Sequence, residues 1–275
     1  MTANRSSTVA SVRDWLERYP FVLPAVVLIV GAIFRFYNLN WDDGHQLHPD
    51  EREIYMVVSG ASGNPPLSLP TSWSNFIAVS DPSGGSPLNP HFFSYGSLPF
   101  YLLAAISTVI AFIGQHVPGL GGWAAANTYG ELPNVGRPLS ALLDLGSVAL
   151  IFVLGRRIFG YWTAVLSMSL VAFTVLDIQL AHFYAVDTVL LPLVLLTLLG
   201  ATSIIRSGST SAYAWTGVAL GAALATKTTA LLLVIPIGVA AILAGWNLKP
   251  WQTSGSLRQR ARSHYSAIAV PLNRN

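Results

Sequence analysis

The chain alternates long apolar runs with short polar breaks. Residues 21–37 open as FVLPAVVLIVGAIF, and apolar stretches follow at 98–114, Pro138–Leu154, Tyr161–Phe183, Val189–Ile205, Ala212–Ala225 and Ala230–Ala244. A helix of about 20 apolar residues crosses a hydrocarbon core of about 30 Å, and most of these runs approach that length. Between the first two runs, residues 38–67 and beyond to 97 are rich in Pro, Gly, Ser and Asn and hold most of the acids. That stretch reads as an aqueous loop carrying short helices. Residues 115–136 form a second loop with Gly and Asn, and residues 247–275 form a basic, polar tail. Residues 1–20 are polar and the run behind them is long enough to span, so no cleavable leader is expected.

Charge decides what the run at 98–114 does. It could span, or lie at the interface as an amphipathic helix. With the N-terminus cytoplasmic and 98–114 not crossing, Arg5, Arg13, Arg18, Arg156, Arg157, Arg206, Lys249, Arg258, Arg260, Arg262 and Arg274 all fall inside. Only Arg35, Arg52, Arg137 and Lys227 remain outside. A crossing at 98–114 would turn Arg156-Arg157 and Arg206 outward, against the excess of Lys and Arg in cytoplasmic loops. The expectation is an all-α polytopic membrane bundle of about six spans. Residues 1–246 form the transmembrane domain, 38–136 a large outer loop with juxtamembrane helices, and 247–275 a cytoplasmic tail.

Composition agrees: 52% of residues are hydrophobic and only 10% charged, against about 25% charged in a soluble domain. The net charge of +3 is too small to suggest nucleic acid. The chain has no Cys, which excludes disulfides, thiolate nucleophiles and Cys-ligated metals. No P-loop, GxSxG or HExxH occurs, so nucleotide hydrolysis, acyl-serine chemistry and zincin proteolysis lack support.

Chemistry gathers with the acids on the outer side. Asp50 and Glu51 closely follow the first span and open a helical run, EREIYMVV, behind Pro49. Proline and acids both suit a helix's first turn, so capping competes with catalysis as their reason. Neighbouring helical residues lie about 100° apart, so the two face different ways. Asp42, Asp43 and Asp81 read as ordinary loop polarity. Asp187 sits where one span ends and the next begins, a costly place for a charge and a functional hypothesis by default. Arg137 and Asp144, seven apart, share a helix face and read as an intramembrane ion pair. Arg35 reads as snorkelling at a helix end. The outward Arg137 and Lys227 need an anion to hold them, and a phosphate fits: Arg forks onto its oxygens and Lys acts as a point charge. Arg52 pairs with a neighbouring acid or joins them. His45, His48 and Asp50 lie close together but match no specific metal signature.

Five stretches together resemble a known family. FRFYNLNWDDGHQLHPDEREIY is similar to the first outer loop of the GT-C glycosyltransferases, in the branch of protein O-mannosyltransferases and the lipid A aminoarabinose transferase. YGSLPFYLL resembles that branch's second juxtamembrane helix, and GRPLSALLDLGSVALIFVLGRRIFG its next span with a cytoplasmic Arg pair. AHFYAVDTVLLPLVLL resembles the junction holding its second acid, and LGAALATKTTALLLVIP its later Lys-containing turn. The resemblance covers about 20–245. It implies an enzyme taking sugar from a polyprenyl-phosphate donor to a protein, lipid or glycan acceptor at the outer face of the cell membrane. It places the catalytic base at Asp50, with Glu51 beside it, and the second acid at Asp187. Arg137, Lys227, Arg52 and His182 are assigned to the donor phosphate. No cofactor is read with certainty, and a divalent cation is left open. The chain departs from the family at Ser97-Leu98, where members often carry a phosphate-binding Lys, and in being much shorter. Two other classes stay in view: a truncated, non-catalytic GT-C fragment, and a lipid-binding or transport protein, which would need inverted repeats and broken helices near the midplane.

Overall fold

The computed structural model describes residues 18–67 and 88–248, and every regular element among them is helical. Asp81 and residues 249–275 of the expected tail lie outside the described residues. Among the described residues nine α-helices are named in order: α1 (Val22–Phe36), α2 (Pro49–Ser59), α3 (Leu98–His116), α4 (Leu132–Ile158), α5 (Tyr161–Ala172), α6 (Val175–Ala181), α7 (Val186–Ser207), α8 (Thr210–Thr226) and α9 (Val234–Leu248). Short 3-10 turns at Gly121–Trp123 and Thr228–Leu233 precede α4 and α9.

Small residues let these helices approach closely, as expected where apolar burial cannot drive association. A Cβ on Gly155 would lie 3.1 Å from Ala164 Cα, so α4 and α5 cross there. A Cβ on Gly200 would lie 2.3 Å from Thr216 Oγ1, which fixes the crossing of α7 and α8. Val27, Val148, Phe152, Ala164 and Met168 bury one cluster between α1, α4 and α5. Ala201, Ile204, Ala240 and Ala244 bury another between α7 and α9. The outward faces stay apolar: Ile29, Leu166, Leu170, Val218, Ile235 and Ile242 are all exposed. In water such a belt would be a liability; in lipid it is the solvated surface.

The bundle confirms a multi-pass membrane fold. Four helical stretches are long and apolar enough to cross: Leu98–His116, Leu132–Ile158, Val186–Ser207 and Thr228–Trp246. The pair α5 and α6, bent by 61°, makes a fifth if counted as one span. The remaining two of the expected runs form shorter helices, 15 residues in α1 and 17 in α8.

Helix α3 passes the length test, but its surroundings keep it at one end of the bundle. Its start is held where the Gly96 amide donates to the Thr226 carbonyl (3.0 Å). Its end is held where Gln115 Nε2 donates to the Ala124 carbonyl (3.2 Å). From Ala124 only eight residues remain before α4 opens at Leu132, and they are folded into turns such as Thr128 to Ala125 and Glu131 to Thr128. Eight fully extended residues reach about 27 Å, and folded ones far less, too short to return across a core of about 30 Å. Both ends of α3 thus lie at the end where α4 begins. There α3 packs with α2 over Ile54, Tyr55, Phe100, Leu103, Val135 and Tyr184. We call this the loop end.

Candidate functional site

Helix α2 is fixed at the loop end by its own sequence. His48 is the N-cap, its Nδ1 accepting from the Glu51 amide (3.4 Å), and Pro49 supplies the first turn. Gly60, at φ 79°, closes the helix in the left-handed conformation that glycine adopts without strain. Glu51, Ile54, Tyr55 and Val58 face inward and are buried, while Asp50 and Arg52 face solvent.

The buried face closes around Arg137. Its Nε and Nη2 donate to the two Glu51 carboxylate oxygens (both 2.9 Å). Its Nη1 and Nη2 donate to the two Asp42 oxygens (both 2.8 Å), and Nη1 also donates to the Leu39 carbonyl (2.9 Å). A guanidinium has five N–H donors, and all five are used. Glu51 is equally saturated, accepting also from the Tyr55 hydroxyl (2.9 Å) and the Tyr184 amide (3.3 Å). Gly136 makes the room, since a Cβ there would lie 2.5 Å from the Tyr55 hydroxyl oxygen. The Arg137 hydrogen bonds hold the Asp42 carboxyl at about 2, below the ordinary 3.8, against the opposing effect of burial. Burial first, then the Glu51 charge, pushes the Tyr55 hydroxyl well up.

This clasp corrects several expectations. Arg137 and Asp144 do not pair: seven residues rise about 10 Å along a helix, so a shared face still leaves them at different depths. Asp144 pairs instead with Arg35, which is fully buried rather than snorkelling. Asp42 is no ordinary loop acid but half of the Arg137 clasp, whereas Asp43 is exposed. Arg137 has no donor left for an incoming phosphate.

Asp50 differs from its neighbour in every respect. It is exposed, and no side-chain hydrogen bond engages it among the described residues. Glu53, three residues on, shares its helix face. Burial and then the charges of Asp50 and Glu53 raise the Tyr95 hydroxyl, which has no hydrogen-bond partner among the described residues. Tyr95 stacks on Phe100 (5.6 Å) and precedes Gly96. A Cβ on Gly96 would lie 2.0 Å from the Ala225 carbonyl oxygen, so backbone meets backbone at the turn that carries Lys227. Lys227 Nζ donates to Asp187 Oδ1 (2.9 Å). This pair is 39% and 55% exposed, so solvent and ligands reach both charges.

The other sequence-selected residues are placed as follows. Arg52 is exposed without a side-chain partner among the described residues. His182 faces the Ile178 carbonyl through Nδ1 (2.7 Å) and the Tyr37 carbonyl through Nε2 (2.9 Å), which ties the end of α6 to the end of α1. His48 stacks on Phe183 (4.4 Å), and His45 Nδ1 faces the Asp42 carbonyl (2.8 Å). Among the described residues, no three His, Asp or Glu converge as a metal site. Sequence reading took Asp42 for ordinary loop polarity and gave Tyr95, Gly96 and Gly136 no role of their own within the family-like stretches that contain them. Only the two glycines left a signal, each sitting within or beside an apolar run where a backbone approach is one reason for glycine.

Comparison with known proteins adds one finding. Residues 124–257 match the family model described as dolichyl-phosphate-mannose-protein mannosyltransferase. The match spans Arg137, Asp144, Asp187 and Lys227, and begins after Asp50 and Glu51. No curated protein and no solved structure matches the chain.

Proposed function

We propose that this chain, which over 124–257 is similar to the dolichyl-phosphate-mannose-protein mannosyltransferase family model, is a GT-C-type enzyme that moves a sugar from a polyprenyl-phosphate donor to an acceptor hydroxyl at the loop end. The observation that carries the reading is the contrast at α2. Glu51 is locked into the fold, while the adjacent Asp50 is an exposed, unpartnered carboxylate on a rigid first turn. A general base needs such freedom together with a fixed position.

In the proposed reaction the acceptor oxygen attacks the anomeric carbon from the face opposite the phosphate. The C–O bond to phosphate breaks with inversion, and the acceptor proton passes to Asp50. General-base help of this kind contributes about 10²–10⁴-fold. The leaving polyprenyl phosphate gains negative charge, and Lys227 neutralises it. Asp187, released from Lys227 by the phosphate, holds a donor hydroxyl or a cation. Glu51 and Arg137 orient α2 rather than touch substrate.

The proposed orientation puts the loop end outside the cell membrane. It is supported by Arg156, Arg157 and Arg206 at the opposite end, where Arg206 donates to the Arg157 carbonyl (2.8 Å) and Arg157 to Ser203 (2.9 Å). The test is sugar transfer in proteoliposomes supplied with polyprenyl-phosphate sugars. Asp50→Asn keeps the shape and removes the proton acceptor, so transfer should be lost while donor binding persists. Substantial turnover by that variant would remove Asp50 as the base, and donor binding without transfer by the wild type would leave a lipid-binding protein.

A further inference from the structure

Residues 161–181 form an apolar run without Pro or Gly, yet the helix breaks between α5 and α6 with a 61° bend. Sharp bends in helices trace to Pro, to Gly and Ser, to bulges, or to a side chain inserted into the hydrogen-bond ladder. An inserted side chain is present. Arg35 Nη1 donates to the Ala172 carbonyl (2.8 Å) and Nη2 to the Val171 carbonyl (3.5 Å). In an unbroken helix those same two carbonyls would accept from the amides of Leu176 and Val175, four residues on. At Ala172 the guanidinium takes the place that the Leu176 amide would fill, while the Val171 carbonyl accepts more closely from the Thr174 amide (3.2 Å) in the tighter turn that ends α5.

The rest of Arg35 is anchored. Its Nε donates to Asp144 on α4, and Nη1 also donates to the Gly31 carbonyl (3.2 Å). Gly31 leaves the space, because even its Cβ would come within 3.4 Å of Nη1. We propose that the buried Arg35–Asp144 pair is the device that breaks the α5–α6 helix, and that this break positions the segment His182–Tyr184 against Glu51.

The consequence is traceable atom by atom. With α6 turned aside, His182 reaches the Tyr37 carbonyl (2.9 Å). Phe183 stacks on His48, and its carbonyl accepts from Ser140 Oγ (2.6 Å). The Tyr184 amide then donates to Glu51 (3.3 Å) and its hydroxyl to the Pro99 carbonyl (2.9 Å). Arg35 and Asp144 thus act as positioning residues for α2 and Asp50. A buried charge without its partner is strongly unfavourable, whereas apolar residues of similar size replace a whole pair at little net loss. Removing both charges together therefore separates the role in the break from a role in folding.

The chain has no Cys, so paired spin labels can be placed freely. Labels at the exposed Gln179 on α6 and Leu142 on α4 report the bend by pulsed electron resonance, on the full chain in nanodiscs. In the double variant Arg35→Met, Asp144→Leu, Gln179 should move by about 8 Å as roughly 7.5 Å of helix swings back into line. Arg35→Lys retains a charge for Asp144 but lacks the fork that reaches the carbonyls, so it too should release the bend. An unchanged distance in the double variant, or a wild-type distance with Lys, would overturn the proposal. Thr174→Val controls for Thr174 Oγ1, which donates to the Leu170 carbonyl (2.7 Å) and could bend the helix by itself; straightening by that variant with Arg35 intact would also overturn it. The effect on turnover rests on the glycosyl-transfer reading, and there kcat should fall while KM for the donor holds. The distance measurement stands whether or not transfer is observed. A turnover loss without a distance change would defeat the positioning role.

Discussion

Two adjacent carboxylates offer a sharp test, because the same chemical change should have opposite effects. In Glu51→Gln, one carboxylate oxygen becomes an amide that can only donate. Oε1 accepts three hydrogen bonds and Oε2 one, all from donors. The better orientation keeps oxygen at Oε1 and turns the new NH2 onto Arg137 Nη2, donor against donor. A hydrogen bond to a charged group contributes about 1.5–3 kcal/mol, and an opposed buried donor adds to the loss. Arg137 keeps its fork onto Asp42, so the loss stays within the roughly 3–5 kcal/mol of a fully broken buried pair. We expect about 2–4 kcal/mol, a fall in unfolding midpoint on the order of 10 °C for a domain of this size. Asp50→Asn breaks no side-chain hydrogen bond among the described residues and loses only its charge in the first turn, about 0.3–1 kcal/mol, so the midpoint should fall far less. Thermal unfolding in detergent, followed by tryptophan fluorescence, reads both; Trp41 against Phe183 (5.5 Å) is a local reporter. An unshifted midpoint for Glu51→Gln, or an equal fall for Asp50→Asn, would refute the division of labour.

Other expectations follow from the same geometry. Lys227→Gln should hardly alter stability, since exposed ion pairs contribute about 0–1 kcal/mol, but should weaken binding of a polyprenyl phosphate; undiminished binding in a titration would leave Lys227 structural. The Asp42 carboxyl lies at about 2 when folded and at the ordinary 3.8 when free. Its contribution is therefore complete above roughly pH 4 and lost as pH falls towards 2. An Asp42→Asn chain should lack that acid limb, and a limb of equal size in both chains would contradict the assignment. A cysteine at the exposed His91 should react with an impermeant maleimide on intact cells; labelling only after lysis would reverse the orientation.

Much of this was legible in the sequence. Apolar length located the helices, and the basic residues sorted the two ends of the bundle. Asp50 was marked by its place behind Pro49 at a helix start. The pairings were not legible. Helical period tells which residues share a face, but not which distant element covers it. Hence Arg137 and Asp144 could be put on one stripe, while their partners, Asp42, Glu51 and Arg35, come from 86 to 109 residues earlier in the chain. The bend at Phe173 was equally hidden, because residues 161–181 hold no Pro or Gly and the Arg35 contacts come from α1. Tyr95 and Gly96 were given no role of their own because their neighbours belong to α2 and to the turn after α8.

The separations between partners also set a timetable for biosynthesis. Arg35 enters the membrane with the first helix, and Asp144 is synthesised 109 residues later. At about 5–20 residues per second, that is roughly 5–20 s during which a guanidinium waits without its carboxylate. Glu51 waits for Arg137 and then for Tyr184, and the Gly96 amide waits for Thr226, 130 residues downstream. The loop end therefore closes last, only when α8 has emerged and turned. Until then Asp50 sits on a helix with nothing yet behind it, and a ribosome that stalls before Lys227 releases an α-helical membrane protein whose site has never been assembled.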